Sequence, residues 1–473
     1  PIMTILLEHQ AKELLSRYGV PTTTARLATD AKIASSLARD CDGPVAMKIA
    51  SPDIVHKERV DGVRLNVNPV DAAKVYDEII AAAATVDGAR INGVIVEPMI
   101  EPGTEIIIGA LCDPVFGPVV MFGAGGTKVE DQGDVTFRLA PLDERDAHQM
   151  IAEVGVSTMS ASESGITDAV IDALVDILLS VGGVDGLVLA EGLVELDINP
   201  LIITGESVIA VDAHAATSAD GPWDLAALGV VDAGERKKIQ SELYEALRPL
   251  FYPERIVVVG ASAKPGKLGF RIMQNLVDFG FVGKLYAVHP SAENIYGCPA
   301  FPTVADLPET VDRAIIAIGA EKVPDALSEC AAKGVRVAQV LTAGFAEWSD
   351  DGKALDNAIK EIADRTGMRI VGPNTIGAYC GAGRITMSTP RHAPQTPGGI
   401  TFISQSGTYA WDMIHRSQVQ GLPLGKSLSC GNCSDVIPTD YLLFSAEDPD
   451  TDVIAMYLES DADAGRFFHL ARD

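Results

Sequence analysis

The run Ile256-Val-Val-Val-Gly260 constrains the chain most, because four consecutive branched aliphatic residues leave no polar face for solvent. A strand that is apolar on both sides needs helices over both sides, the condition of a parallel sheet. A glycine-containing turn and a helix over Gly269–Phe279 follow it. Further strands are predicted at Leu285–Val288, Arg313–Ile318, Val335–Leu341 and Arg369–Val371, alternating with helices. That alternation predicts a Rossmann-like doubly wound domain.

At 473 residues the chain exceeds the roughly 250–300 residues at which single cores stop growing, so several domains are expected. Upstream, helices are predicted at Glu8–Tyr18, closed by Gly19-Val20-Pro21, and at Val70–Ala84. Strands are predicted at Val45–Ile49, Gly93–Met99, Glu105–Cys112, Val119–Phe122 and Leu193–Asp197. Residues 219–247, with Gly221-Pro222-Trp223 and a charged run from Gly234, read as a linker that ends in a helix. After Thr396-Pro-Gly-Gly399 a third unit opens with Ile400. Its strands are expected at the start, near Gly425–Leu428 and at Val453–Leu458, with a final helix near Asp463–Ala471. The predicted division of this α/β chain is 1–218, a linker at 219–247, 248–396 and 397–473.

With 37 basic and 65 acidic side chains the net charge is −28, which argues against nucleic acid or an anionic membrane as partner. Seven cysteines, no signal-like amino terminus and no apolar run of about 18 residues fit a reducing, cytoplasmic setting. Cys430-Gly-Asn-Cys433 has a spacing used in redox and zinc sites, but no second pair accompanies it, and the cysteines read as incidental.

Several strings carry chemistry. Lys48 ends an apolar strand and could hold a polyphosphate, and His56, eight residues on, could take a phosphoryl group. Glu97, in Val96-Glu-Pro-Met-Ile100, is followed eight residues later by Glu105. Gly125 and Gly126, in Phe122-Gly-Ala-Gly-Gly-Thr-Lys-Val-Glu130, would let backbone N–H groups approach phosphate. Magnesium needs only one or two protein oxygens beside phosphates, and Asn199 and Asp212 are candidates. The turn Val259-Gly260-Ala-Ser262, with Gly266, Lys267 and Gly269, suits a diphosphate, and on its own suits NAD as well as coenzyme A. Ser404 and Ser406, in Ile403-Ser-Gln-Ser-Gly-Thr408, should stand at a helix amino terminus that favours phosphate.

The string Ser51-Pro-Asp-Ile-Val-His-Lys57, with Tyr286-Ala-Val-His-Pro290, Leu341-Thr-Ala-Gly-Phe-Ala-Glu347 and Val371-Gly-Pro-Asn-Thr-Ile-Gly377, resembles the ADP-forming (NDP-forming) acyl-CoA synthetases of the succinyl-CoA synthetase superfamily. The resemblance covers essentially the whole chain. It implies an ATP-grasp domain, then a Rossmann-like CoA-binding domain, then an incomplete flavodoxin-like ligase-CoA domain.

By the same resemblance Lys48, Glu97, Glu105, Gly125 and Gly126 bind ATP, Asn199 and Asp212 hold Mg2+, and His56 is a second phosphate carrier. Gly260, Ser262, Lys267, Gly344 and Glu347 would hold coenzyme A. Asn374, Ser404 and Ser406 would face the phosphoryl group, and Glu459 would orient a phosphorylated histidine. His289 and Thr375 stand where the family usually has asparagine and cysteine. The family's main carrier, in a Ser-His-Thr-Gly string, does not occur in this sequence, and is expected in a longer synthetase or a partner chain. The implied activity is an ADP-forming acid:CoA ligase acting on a small carboxylic acid. The alternatives are the same scaffold coupled to a later step such as lyase chemistry, or a CoA or nucleotide sensor. Self-association or a domain-complementing chain is implied as partner.

Overall fold

The computed structural model describes residues 3–54, 56–125, 135–155, 166–389, 392–394, 396–460 and 464–472. The chain divides into two units, 1–230 and 231–473.

In the first unit, seven strands form one sheet: Met3–Leu6 (β1), Thr104–Asp113 (β6), Gly117–Ala124 (β7), Val135–Leu139 (β8), Leu193–Thr204 (β9), Ser207–Ala210 (β10) and Ala213–Ser218 (β11). Their order is β1-β11-β9-β6-β7-β8, with β10 also paired to β9, and every pairing is antiparallel. A second sheet, in the order β2-β5-β3-β4, comprises Arg26–Ala28 (β2), Val45–Ala50 (β3), Val63–Val67 (β4) and Gly93–Pro98 (β5). The two sheets carry separate cores. Ile106, Phe122, Leu174 and Leu196 are buried in one, and Met47, Ile49, Ile79 and Val94 in the other.

Strand β9 runs well beyond its predicted end at Asp197, because Leu201 and Ile203 continue to bury side chains past Pro200. The proline is accommodated at a bulge. Ile106 pairs with Leu201 and Ile108 with Ile198, so Asn199 and Pro200 together oppose Ile107 alone. Proline is tolerated in sheets at such bulges, and a bulge turns the adjoining side chains out of the regular pleat.

In the second unit the strands Arg255–Val259 (β12), Lys284–Val288 (β13), Asn294–Ile295 (β14), Cys298–Phe301 (β15), Arg313–Ile316 (β16), Val337–Val340 (β17) and Arg369–Val371 (β18) form a sheet in the order β14-β15-β13-β12-β16-β17-β18. All pairings except β14 with β15 are parallel. The strand order reverses at β12, as in a doubly wound fold. Ile256 and Val258 enter one core, and Val257 and Val259 another on the opposite face, as the apolar run requires.

The last sheet has four strands, where three were predicted. Ala378–Cys380 (β19), inside the stretch expected to close the CoA-binding domain, pairs antiparallel with Leu424–Ser429 (β21) because all three residues are buried there. Ile400–Ser404 (β20) lies parallel between β21 and Val453–Tyr457 (β22). Residues from 233, predicted as linker up to 247, form a helix over Ala233–Phe251. It buries Leu243, Leu247, Leu250 and Phe251 in the second unit. Its amino end is capped by Asp232, which accepts from the amides of Gly234 and Glu235.

The turn after β12 requires its glycines. Gly260 has φ +85°, and a Cβ there would lie 2.4 Å from the Ala317 carbonyl oxygen; one on Gly269 would lie 2.1 Å from the Gly260 oxygen. Gly260→Ala should therefore destabilise the second unit by at least about 1–3 kcal/mol, the cost of the left-handed conformation before any clash is relieved. Urea denaturation of the two proteins measures it, and an unchanged midpoint would contradict this packing.

Candidate functional site: a buried lysine–carboxylate cluster beside an acidic strand end

Three lysines and three carboxylates meet in the first unit. Glu8 and Lys12 lie one turn apart on the helix Glu8–Arg17, Lys48 is on β3, Glu97 on β5, Lys57 opens a short 3-10 turn, and Asp212 precedes β11. Glu8 is the hub: its Oε1 lies 2.8 Å from Lys48 Nζ and 3.0 Å from Lys12 Nζ, and its Oε2 accepts from Lys57. Glu97 closes the inner end, with Oε2 at 2.5 Å from Lys12 and Oε1 at 2.7 Å from Lys48, and Thr23 donates to the same carboxylate. Lys12 and Lys48 also donate to the Val211 carbonyl, at 2.5 and 2.8 Å. Lys57 Nζ reaches Asp212 at 3.0 Å.

Burial grades along the cluster. The Glu97 side chain is 1% exposed, that of Lys57 16% and that of Asp212 32%, so the Lys57–Asp212 end faces solvent. A lysine buried alone would lose its proton. Burial pulls the Lys48 ammonium down in this way, but Glu8, Asp212 and Glu97 outweigh it and raise its pKa, and Lys57 is raised by Glu8 and Asp212 against the same penalty. Burial pushes the Glu8 carboxyl up, but Lys48, Lys12 and Lys57 more than reverse this and lower it. Both Lys48 and Lys57 are thus held as cations.

Beside this end stands an acidic strand face. Asn199 is exposed, and its amide meets the Asp212 carbonyl at 3.3 Å, which sets the two residues side by side across β9 and β11. Asp197 lies two residues earlier on the same strand. Burial and the Asp212 charge raise its pKa, and burial and Glu8 raise that of Asp212 against the pull of Lys48 and Lys57. Both carboxyls thus hold their protons more tightly than usual, Asp212 while paired with Lys57 and Lys48. No group of three or more metal-ligating side chains occurs among the described residues. A small cage of that kind is not needed by magnesium, which keeps waters and phosphate oxygens as ligands.

The structure brings the predicted residues Lys48, Asn199 and Asp212 together, with His56 exposed and adjacent to Lys57. Glu97 was expected to take ribose hydroxyls; both its oxygens instead face protein cations, and it acts as their buried counter-ion. Glu105 is exposed, and its carbonyl accepts from the Gly125 amide at 2.8 Å. A Cβ on Gly125 would come within 2.8 Å of the Glu105 backbone. Gly126 lies outside the described residues. Glu8, Lys12, Lys57 and Asp197 were missed in the sequence. Glu8 and Lys12 have the i, i+4 spacing of an ordinary surface pair, and Asp197 could have been found from its period-2 spacing to Asn199.

In the second unit, three turns, following β17, β18 and β21, are stitched together. Asn374, at φ +57°, donates its side-chain amide to Asn432 at 3.3 Å. Glu347 accepts from the Gly344 amide at 2.6 Å and from the side chain of Asn432. Burial raises the Glu347 carboxyl, but these donors prevail and hold it below the usual range. Glu347 is therefore an internal brace of its loop. Gly344 has φ +105°, so the turn favours glycine.

Ser404 is fully buried at the start of the helix Gly407–Gln420, with its hydroxyl donating to the carbonyl of the N-cap residue Ser406 at 2.7 Å. Ser406 is half-buried, at the start of the helix Gly407–Gln420, and its side chain does not cap that helix. Glu459 is exposed, and its amide donates to Gln405 at 2.5 Å. Ser262 accepts from the Lys264 amide at 3.1 Å, and Lys267 is exposed at the amino end of the helix Leu268–Asp278.

Breaking the inner ion pair should be costly. Lys12→Met leaves Glu97 short of a cation and is expected to destabilise the first unit by about 3–5 kcal/mol, with Lys12→Met/Glu97→Gln recovering part of the loss. A double-mutant cycle in urea checks this, and additive effects would show that the two charges do not interact.

Family models match the chain in three consecutive segments: the ATP-grasp domain over residues 3–216, the CoA binding domain over 254–380, and the succinyl-CoA ligase like flavodoxin domain over 397–473. ADP-forming acetate–CoA ligase II of Archaeoglobus fulgidus is 35% identical over 99% of this chain and 66% of its own length. The beta subunit of ADP-forming acetate–CoA ligase II of Pyrococcus furiosus is 40% identical over 45% of this chain and 91% of its own. A solved structure of acetyl-coenzyme A synthetase 1 from Ca. Korarchaeum cryptofilum, in complex with coenzyme A and Ca-AMPCP, is 40% identical and covers 45% of this chain and 93% of that one, with a TM-score of 0.41. The chain spans about two thirds of the Archaeoglobus ligase. With a buried cation cluster beside an acidic strand end, a glycine-built turn on a doubly wound sheet and these three matches in order, the chain belongs to the ADP-forming acyl-CoA synthetase family.

Proposed function

We propose that the chain carries the nucleotide and coenzyme A sites of an ADP-forming acid:CoA ligase, which makes an acyl-CoA from a small carboxylic acid, ATP and CoA. One observation carries this reading: Lys57, held charged between Glu8 and Asp212, adjoins the exposed His56. ATP phosphates approach from the solvent-facing Lys57–Asp212 end, where Lys57 and then Lys48 turn from carboxylates to phosphate oxygens. Glu8 keeps both ammonium groups protonated, with Glu97 beside Lys48 and Asp212 beside Lys57. Preorganised cations of this kind stabilise charge on a transferring phosphoryl group without reorganisation.

Asn199, Asp212 and Asp197 hold Mg2+, which when bound neutralises the polyphosphate. His56 takes the γ-phosphoryl group on a ring nitrogen and ADP leaves. As a second carrier, His56 passes the phosphoryl group to the main carrier histidine, and from there it reaches the acid as an acyl phosphate; the CoA thiolate attacks the carbonyl and releases phosphate. In the second unit Gly260, Ser262 and Lys267 receive the CoA diphosphate. Ser406 and Asn374 would face the phosphoryl group on the main carrier histidine of the Ser-His-Thr-Gly string, which this sequence lacks, and Glu459 would orient that histidine. Gly344 and Glu347 shape the adjoining loop, with Glu347 bracing it from within. The acid is a small carboxylic acid, and a cytoplasmic setting is in keeping with seven free cysteines; no described helix is long and apolar enough to cross a membrane.

Incubation with Mg2+ and γ-labelled ATP should place acid-labile label on His56, and Lys57→Met should reduce its rate tenfold or more. Calorimetry showing that neither ATP nor CoA binds would overturn the reading. Because Asp197 and Asp212 hold their protons more tightly than ordinary carboxyls, protons compete with the cation as pH falls. Millimolar Mg2+ should raise the urea midpoint of the chain at pH 8 and do so much less at pH 5. A midpoint shift independent of pH, or lost only below the ordinary carboxyl range near pH 4, would count against these ligands.

A further inference from the structure

The geometry points to Cys430 and Cys433 as a reversible dithiol–disulfide pair that switches the turn joining the CoA-facing loops of the second unit. Gly431 and Asn432 are the inner residues of a turn, so the two cysteines occupy its outer positions. In such a turn the outer Cα atoms are less than about 7 Å apart, which overlaps the range a disulfide spans. Cys430 is fully buried, whereas Cys433 is half-buried and reachable by a small oxidant. Contact with the Cys430 thiol and with the Gln405 amide lowers the Cys433 pKa against the penalty of burial, while burial raises that of Cys430. The two thiols thus differ as an attacking and a resolving cysteine differ.

This turn is the knot of the loop cluster. The Cys430 amide donates to the Ser404 carbonyl at 2.8 Å, that of Asn432 to Pro373 at 2.9 Å and that of Ser434 to Gly372 at 3.1 Å. The Asn432 side chain ties Glu347 to Asn374. Cys433 already sits at φ +58°, unusual for a non-glycine residue, and its thiol donates to the Gly431 carbonyl at 3.5 Å. Closing the disulfide removes that bond and redirects both side chains, which pulls Asn432 from its partners.

A peroxide serves as the oxidant. The Cys433 thiolate attacks one peroxide oxygen, the O–O bond breaks, and hydroxide leaves as water after taking a proton. Cys430 sulfur then attacks the Cys433 sulfenic acid, the S–O bond breaks, and water departs with the Cys430 proton. Two thiols and one peroxide yield one disulfide and two waters, and a dithiol reductant restores the thiols.

The test treats the chain with hydrogen peroxide, maps cross-linked peptides by mass, and measures amide hydrogen exchange with and without dithiothreitol. The expected result is a Cys430–Cys433 cross-link lighter by two hydrogens, with exchange over residues 344–347 and 372–377 rising about tenfold and returning on reduction. Cys433→Ser should show neither change. Absence of that cross-link, or a cross-link with unchanged exchange, overturns the proposal. The consequence for ligand binding rests on the CoA reading: oxidation should weaken CoA about tenfold by calorimetry. Failure of the reduced chain to bind CoA would sink that reading alone, because the cross-link and exchange still decide the switch.

Discussion

The carboxylate of Glu8 is the interaction on which the first unit's chemistry depends. It contacts Lys12, Lys48 and Lys57, side chains from three parts of the chain, and its side chain is 2% exposed. Buried ion pairs repay their desolvation only when every partner is satisfied, so such a cluster contributes little net stability. Its value lies in protonation state: Lys48 and Lys57 stay charged where burial would otherwise neutralise them. The result is a pair of cations, graded from buried Lys48 within β3 to partly exposed Lys57 in the turn after it.

The neighbouring bulge supplies the opposite charge pattern. Two residues of β9 oppose one of β6, which lets Pro200 sit in a strand and turns Asn199 out toward Asp212. Cations and carboxylates therefore meet at one edge, the arrangement phosphate and a divalent ion both require. In the second unit the equivalent organisation comes from backbone. Glycines with positive φ and amide-to-carbonyl bonds between turns carry the loops, and side chains such as Glu347 and Asn432 brace them.

Much of this was legible in the sequence. The apolar run from Ile256 determined a parallel sheet, since a strand without a polar face can only be buried on both sides. Lys48, His56, Asn199 and Asp212 were singled out by the resemblance of their strings, and the structure sets Lys48 3.8 Å from Asp212 and Asn199 beside Asp212. Only the tertiary structure decided the rest. Glu8 and Lys12 look like a solvated helix pair until β3 and β5 cover them, and Glu97 reads as a ligand until two lysines claim its oxygens. Ser404 and Ser406 stand two residues apart in one string, yet the first is sealed beneath its own turn. Ala378–Cys380 follows the CoA-domain strings in sequence but pairs with the next sheet. Local pattern records which residues can be buried or charged, whereas the partners that set their chemistry come from segments as distant as residues 8 and 212, and their meeting is fixed by packing alone.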